Sequence, residues 1–201
     1  MTMKIVLAST NQGKLREIKA FFQGLPIDLI SQSEFSVPSV EETGLSFVEN
    51  AIIKARHASR YCHLPALADD SGLVVNALDG APGIYSSRYA GVNAHDQDNV
   101  KKLLTAMSTV DEKKRQAHFY CALAFVRYPQ DPTPLICQGT WEGSILHQPV
   151  GEGGFGYDPV FWVQSHQCSA AQLSAAQKNE QSHRAKALKA FVAQFQQIIQ
   201  G

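Results

Sequence analysis

Asp69 and Asp70 are adjacent carboxylates, and Glu41 and Glu42 form a second adjacent pair upstream. Like charges this close repel unless a cation or solvent intervenes. Taken together the pairs offer three or four hard oxygen ligands. Mg²⁺ takes one or two protein carboxylates and completes its shell with phosphate oxygens and water. Either pair alone is more often a solvated acidic turn or surface. Lys14 closes a polar stretch, Ser9-Thr10-Asn11-Gln12-Gly13-Lys14, that reads as a turn from a strand into a helix. Backbone N–H groups and the helix dipole favour an anion at such a turn. They disfavour a lysine in the first helical turn, and one found there often has an anion to meet. The stretch is not a G-x-x-x-x-G-K-[ST] loop, and it also fits a plain strand-to-helix turn. Lys54, beside Arg56 and His57 in mid-helix, reads from spacing as an exposed lysine, with a second phosphate contact as the functional alternative.

Gly151-Glu152-Gly153-Gly154-Phe155-Gly156 matches G-x-G-x-x-G letter for letter. A dinucleotide fingerprint needs a strand before it and a helix after it, and here Tyr157-Asp158-Pro159-Val160-Phe161 follows, which reads as the start of a strand. Glycines around one phenylalanine instead suggest backbone close to a flat ligand, with Phe155 able to stack on a base. A flexible turn holding a core aromatic fits the same residues. Lys178, Ser182, His183 and Arg184 cluster at a helix start, with Ser182 as N-cap. Read alone, this is a capped, solvated helix start; as a site, it is a set of hydrogen-bond donors. Lys113-Lys114-Arg115 reads as a solvated loop.

Hydrophobic periodicity supplies the elements that must hold these groups. Lys4 to Ala8 reads as a strand, and the helix after it runs to about Gln23, closed by Gly24. Ile27 to Ser31 is a second strand. Ser46-x-x-Glu49 is a capping box opening a helix to about Arg60, with Ala51, Ala55 and Ala58 inward. Ala66 to Ala68 is a short strand ending at Asp69-Asp70-Ser71-Gly72, and Leu73 to Val75 can form another. A helix is expected over Asp96 to Met107. Strands are expected over Ala117 to Val126, Leu135 to Leu146 and Val160 to Val163. The tail reads as a helix from Ser182 to Gln200, with Ala185, Leu188, Phe191, Phe195 and Ile198 inward. Helices and strands alternate early and a hairpin comes late, which predicts an α/β fold with a mixed sheet.

The 201 residues suffice for one domain or two joined lobes, and 44% hydrophobic with 18% charged residues argues against disorder. Lys plus Arg equals Asp plus Glu at 18 each, so no basic excess supports a nucleic-acid footprint. Cys62, Cys121, Cys137 and Cys168 match no zinc template and read as reduced packing residues. No stretch approaches the ~20 apolar residues of a membrane helix, and the opening apolar run is short for a signal peptide, so no membrane partner and a cytoplasmic setting are expected. A non-catalytic nucleotide-sensing module would need Phe155 and the lysines but not the acidic residues. A nicotinamide oxidoreductase would need a helix after the Gly151 loop.

Seven segments together resemble one family. They are Leu7-Ala8-Ser9-Thr10-Asn11-Gln12-Gly13-Lys14, Glu41-Glu42-Thr43-Gly44, Phe47-Val48-Glu49-Asn50-Ala51 with Lys54-Ala55, and Ala68-Asp69-Asp70-Ser71-Gly72-Leu73. Further on come Pro82-Gly83-Ile84-Tyr85-Ser86-Ser87-Arg88-Tyr89, Gly153-Gly154-Phe155-Gly156-Tyr157-Asp158-Pro159 and Ser182-His183-Arg184. In this order the chain resembles the noncanonical purine NTP pyrophosphatases, also called inosine-triphosphate or XTP/dITP pyrophosphatases. The resemblance implies one α/β pyrophosphatase domain over 1–201: an elongated mixed β-sheet flanked by helices, with two lobes around a central substrate cleft, and a homodimer. It implies hydrolysis of purine nucleoside triphosphates between the α- and β-phosphates with Mg²⁺. Asp70, Lys14 and Lys54 would be catalytic, and Glu41, Glu42, Asp69 and Asp70 would attend the metal. Ser9, Thr10, Asn11, Gln12, Gly13, Lys14 and Ser71 would contact substrate. Gly156 and Tyr157 would also contact substrate, and Phe155, Asp158, Lys178, His183 and Arg184 would enclose and read the base. Ala175-Ala176-Gln177, before Lys178, departs from a segment that is usually acidic in the family.

Overall fold

The computed structural model describes residues 2–200, with residues 197–200 described by backbone alone. Ile5-Val6-Leu7-Ala8 is apolar at every position, the pattern of a strand covered on both faces. It lies in β1 (Met3–Ala8), buried from Ile5 onward. β1 pairs in parallel with β2 (Ile27–Ser31) and with β3 (Ala66–Val75). Parallel neighbours need crossover connections, which contain α1 (Gln12–Phe21) and α2 (Phe47–Cys62). Asn11 caps α1, its Oδ1 accepting the Lys14 N–H at 3.0 Å. Ser46 caps α2 as the capping box predicts, accepting the Glu49 N–H.

The remaining elements are α3 (Asp96–Ala106), β4 (Gln116–Val126), β5 (Leu135–Ile145), β6 (Phe161–Val163), β7 (Cys168–Ser169), α4 (Ala175–Gln181) and α5 (His183–Gln200). The sheet runs β2-β1-β3-β4-β5-β6-β7, and its β5–β6 and β6–β7 pairings are antiparallel, so it is mixed. No helix among the described residues is long and apolar enough to cross a membrane.

The chain divides into two compact units: Met1–Asp70 with Cys121–Gly139 and Arg184–Gly201, and Ser71–Tyr120 with Thr140–His183. Each has its own core. The first packs Ile5, Leu7, Leu15, Ile18, Leu123, Phe125, Leu188, Phe191 and Phe195 together. The second packs Leu73, Val75, Leu103, Met107, Phe119, Trp141, Tyr157 and Phe161. Of the predicted inward stripe on α5, Ile198 lies outside the described side chains.

Three sequence expectations are corrected. β3 does not stop at Asp69 but runs through Ser71-Gly72 to Val75. Gly72 is there for close approach rather than for a turn: a Cβ would sit 2.4 Å from Ser86 Oγ and 2.5 Å from the Gly83 carbonyl oxygen. Ser86 Oγ itself accepts the Leu73 N–H at 2.9 Å and donates to the Gly83 carbonyl. Second, a separate helix, α4, precedes the tail helix, capped by Ser174 and Gln177 in a capping box. Third, Arg115 is not solvated. Its exposure is 1%, and it donates through Nε to Ile145 O, through Nη1 to Met107 O and Val110 O, and through Nη2 to Leu146 O. A cation is favoured beside the carbonyls that end α3.

Arg115→Met keeps much of the aliphatic stem and leaves those carbonyls without their donor. Losing charge-assisted bonds in a buried setting should lower unfolding free energy by about 3 kcal/mol, read by urea denaturation. A loss under about 1 kcal/mol would mean that water replaces the guanidinium.

Candidate functional site

Successive side chains of a strand point to opposite faces. Because β3 continues through Asp69-Asp70, the two carboxylates diverge and acquire different partners. Asp69 has a fully buried side chain. Lys14 of α1 forms an ion pair with its Oδ1. Arg184 Nε, at the start of α5, donates to its Oδ2 at 3.1 Å, and the Cys121 thiol of β4 donates to the same oxygen at 3.0 Å. Arg184 Nη1 also pairs with Glu17, one turn along α1 from Lys14. Burial alone would raise the Asp69 pKa, but Arg184 and Lys14, with the thiol, hold it well below the usual carboxylate range. Burial and then the Asp69 charge push the Cys121 thiol well up, so it remains a donor.

Asp70 faces α2. Lys54 Nζ donates to its Oδ1 at 2.6 Å and stands 3.0 Å from Glu42 Oε1, so one ammonium joins the two carboxylates. Burial, with Glu42 adding to it, raises the Asp70 pKa despite Lys54 and Lys14. Burial works against the Lys54 charge, but Asp70, Glu42 and Asp69 together raise its pKa above the ordinary value. Asp70 Oδ2 is buried and accepts no hydrogen bond among the described residues. The Glu42 loop is tied to α2: Asn50 Oδ1 accepts the Gly44 N–H at 2.9 Å, and Glu49 Oε2 accepts the Leu45 N–H at 2.9 Å. His57 Nε2 bonds the Pro38 carbonyl at 2.9 Å. Glu41 is exposed.

No group of three or more His, Cys, Asp or Glu among the described residues is arranged to hold a metal ion. Two carboxylates, one with an oxygen lacking any donor, instead fit a hard divalent ion that brings phosphate oxygens as its other ligands.

The second unit holds the glycine-rich loop and its supports. Asp158 Oδ2 accepts the Phe155 N–H at 2.9 Å and the Lys178 ammonium at 2.7 Å. Lys178 Nζ lies 5.2 Å from the Phe155 ring centroid, a cation–π distance. His183 stacks on Phe119 at 4.9 Å and on Trp141 at 6.4 Å, both nearly parallel. Tyr157 is buried in the core, its hydroxyl donating to the Ser86 carbonyl. A short 3₁₀ turn, Asp158–Val160, and β6 follow the loop, so the helix that a dinucleotide fingerprint requires is absent there.

The first unit thus gathers Asn11, Lys14, Glu42, Lys54, Asp69 and Asp70, with Ser9 and Thr10 in the partly open turn before α1 and Gln12 and Gly13 in its first turn. The second brings together Phe155, Asp158 and Lys178, with Gly156 in the same loop, and it also contains Ser71 and His183, the latter stacked on Phe119 and Trp141. Lys178, Ser182, His183 and Arg184 are all buried, which corrects the solvated helix start. Arg184 lies in the ion network around Asp69, and Asn11 Oδ1 is engaged as a helix cap. Sequence reading missed Glu17, Cys121, Phe119 and Trp141. Glu17 was available, because i, i+3 spacing puts it on the Lys14 face of α1.

Fold and site together define an α/β protein with a paired carboxylate–lysine array. The chain belongs to the Ham1 family, whose model matches residues 5–194. A relative from Photobacterium profundum, named dITP/XTP pyrophosphatase, is 56% identical over 94% of this chain and 96% of its own length. One from Pectobacterium atrosepticum with the same name is 52% identical over 92% and 94%. The solved HAM1 protein from Coxiella burnetii is 52% identical, covers 97% of this chain and 99% of its own, and superposes with a TM-score of 0.91.

Asp69→Asn removes the anion that Lys14 and Arg184 share and should cost about 3–5 kcal/mol of stability. A carboxylate with a depressed pKa stabilises fully above its ordinary pKa, about 3.9, and loses that contribution as pH falls through the folded value. The gap between wild type and variant in urea unfolding should therefore be flat from about pH 8 to 5 and close only below about pH 4. A gap that changed between pH 5 and 8 would assign the effect to another group.

Proposed function

We propose that this chain hydrolyses noncanonical purine nucleoside triphosphates (dITP, ITP and XTP) to the nucleoside monophosphate and pyrophosphate, removing deaminated purines from the nucleotide pool. The observation that carries the reading is the Glu42–Lys54–Asp70 group: two carboxylates joined by one ammonium, with Lys14 held by Asp69 in the same unit. The names of the Ham1 relatives support the substrate class.

Glu42 and Asp70 are the residues that would hold Mg²⁺. When bound, that ion neutralises polyphosphate charge and polarises the α-phosphate. Lys54, with its raised pKa, stays an ammonium at neutral pH and can donate to a phosphate oxygen. Lys14, kept close to Asp69, offers a second cation. Asp70 Oδ2 accepts no hydrogen bond among the described residues and has a lone pair for a proton of the attacking water. Water oxygen attacks the α-phosphorus in line, the bond to the bridging oxygen breaks, and pyrophosphate leaves. Positioning and charge neutralisation carry most of the rate.

In the second unit Phe155 stacks on the base, while Lys178 and His183 supply donors. Inosine and xanthine present a keto oxygen at position 6 where adenine presents an amino donor, so such a set accepts the former and opposes the latter. A polar match of this kind discriminates by roughly 10⁴-fold or more. We assign Arg184 and Asp69 to holding Lys14 rather than to touching base or metal, and Tyr157 to seating the loop in its core. The homodimer implied by the family resemblance is tested by sedimentation equilibrium of the full chain.

A nucleotide panel with and without Mg²⁺, scored for pyrophosphate against orthophosphate, tests the reading. Pyrophosphate from dITP, lost on chelation, is expected; orthophosphate release or metal-independent turnover would sink it. Asp70→Asn should lower kcat by about 10²–10⁴-fold with KM within a few-fold. Phe155→Ala should raise KM by roughly tenfold or more, with a smaller effect on kcat.

A further inference from the structure

The loop that carries Phe155 is backed on one side by open space. A cavity of ≈ 940 Å³ lies against α3, and its lining includes Asp96, Val100, Leu104, Gly151, Phe155 and Pro159. Gly151, Gly154 and Gly156 all have positive φ, at 84°, 75° and 61°. Glycine has wide backbone freedom, so a loop of this kind beside a void holds one shape only where specific bonds pin it. Asp158 pins it from the short turn that follows, at the Phe155 N–H. The next N–H is pinned from far along the chain: Asp96 Oδ2 accepts the Gly156 N–H at 2.6 Å.

Asp96 is one of two acids in the first turn of α3, and both are exposed. The helix dipole favours either equally. Asp98 has the local task, accepting the His95 N–H at 2.9 Å to close the helix cap. Asp96 is turned outward to the loop. Two consecutive N–H groups, of Phe155 and Gly156, are thus each held by a carboxylate, which fixes the two peptide planes flanking the Phe155 Cα, from which the ring projects.

We propose that Asp96 is a positioning residue for base recognition: by holding the Gly156 N–H, it sets the Phe155 ring in its stacking orientation. The inference rests on the reading of Phe155 as the base-stacking residue. A positioning role acts on substrate capture and base choice, not on the phosphate chemistry performed by the first unit's residues.

The test compares the full-length Asp96→Ala, Asp96→Asn and Asp98→Ala variants with dITP and dGTP as substrates in Mg²⁺, measuring kcat, KM and melting temperature. Asp96→Ala should raise KM for dITP about fivefold and narrow the dITP-to-dGTP preference, with kcat within about twofold. Asp96→Asn, which keeps a neutral acceptor, should fall between it and wild type, and stands in if the alanine variant fails to fold. Asp98→Ala removes the same helix charge and should lower the melting temperature while leaving KM within about twofold. Equal KM changes at 96 and 98, or a fall in kcat at unchanged KM, would overturn the proposal. Pyrophosphate release by wild type reports separately on the function itself; wild type without it would overturn both.

Discussion

The alternation of one strand decides the chemistry of the first unit. Two adjacent aspartates in a turn would share solvent and repel. The same two in β3 are sent to opposite faces, where each meets cations of its own. That divergence requires the strand to continue past Asp70, and it continues because Gly72 lets the backbone pass against Ser86 and the Gly83 carbonyl. A side chain at 72 would break the close approach.

Burial acts on both aspartates in the same direction, yet they end with pKa values displaced in opposite directions. The difference lies in the partners. Asp69 has a guanidinium, an ammonium and a thiol donor on two oxygens, and its negative charge is over-compensated. Asp70 shares a single direct lysine with Glu42, a like charge that offsets part of the attraction. A carboxylate held so firmly ionised is suited to fixing cations in place. One with a raised pKa and a bare oxygen is suited to taking a proton or an ion. Lys14 and Arg184 also show why buried ionic groups are safest in networks: each is matched, and Arg184 has Glu17 as a second anion.

The parts of the molecule legible in sequence are those governed by short-range rules. The apolar run of β1, the Ser46 capping box and the helix expected over Asp96 to Met107 each follow from local pattern, and the mixed α/β class follows from the order of the elements. The carboxylates and lysines could be singled out as types. What sequence could not supply was the face each occupies, because that depended on reading β3 as continuous, and Ser-Gly is normally a turn signal. Arg115 illustrates the same limit: in a run of charges it looks solvated, and only tertiary carbonyls explain its burial. The family resemblance implies a base contact for Arg184 but carries no sign of its ion pairs with Asp69 and Glu17. α4 went unread because the Ser174–Gln177 capping box lies in a short segment with no apolar stripe.

The two units meet different physical demands with different materials. Under the proposed function, polyphosphate recognition is a problem of charge density, and the first unit would answer it with side chains locked by mutual ion pairs, which need little reorganisation when an anion arrives. A purine ring presents a flat surface with a few polar atoms. Recognising it calls for an aromatic face and donors at fixed angles, and a glycine-rich backbone can bring such a face close without side-chain obstruction. The cost of that freedom is disorder, and the second unit limits it with carboxylates on backbone N–H groups as well as with the packing of Tyr157. Asp158 illustrates the economy of the solution: the oxygen that holds the Phe155 N–H also holds Lys178, whose ammonium then lies over the Phe155 ring. One acid thereby couples the stacking face and the donor, so that moving either disturbs both.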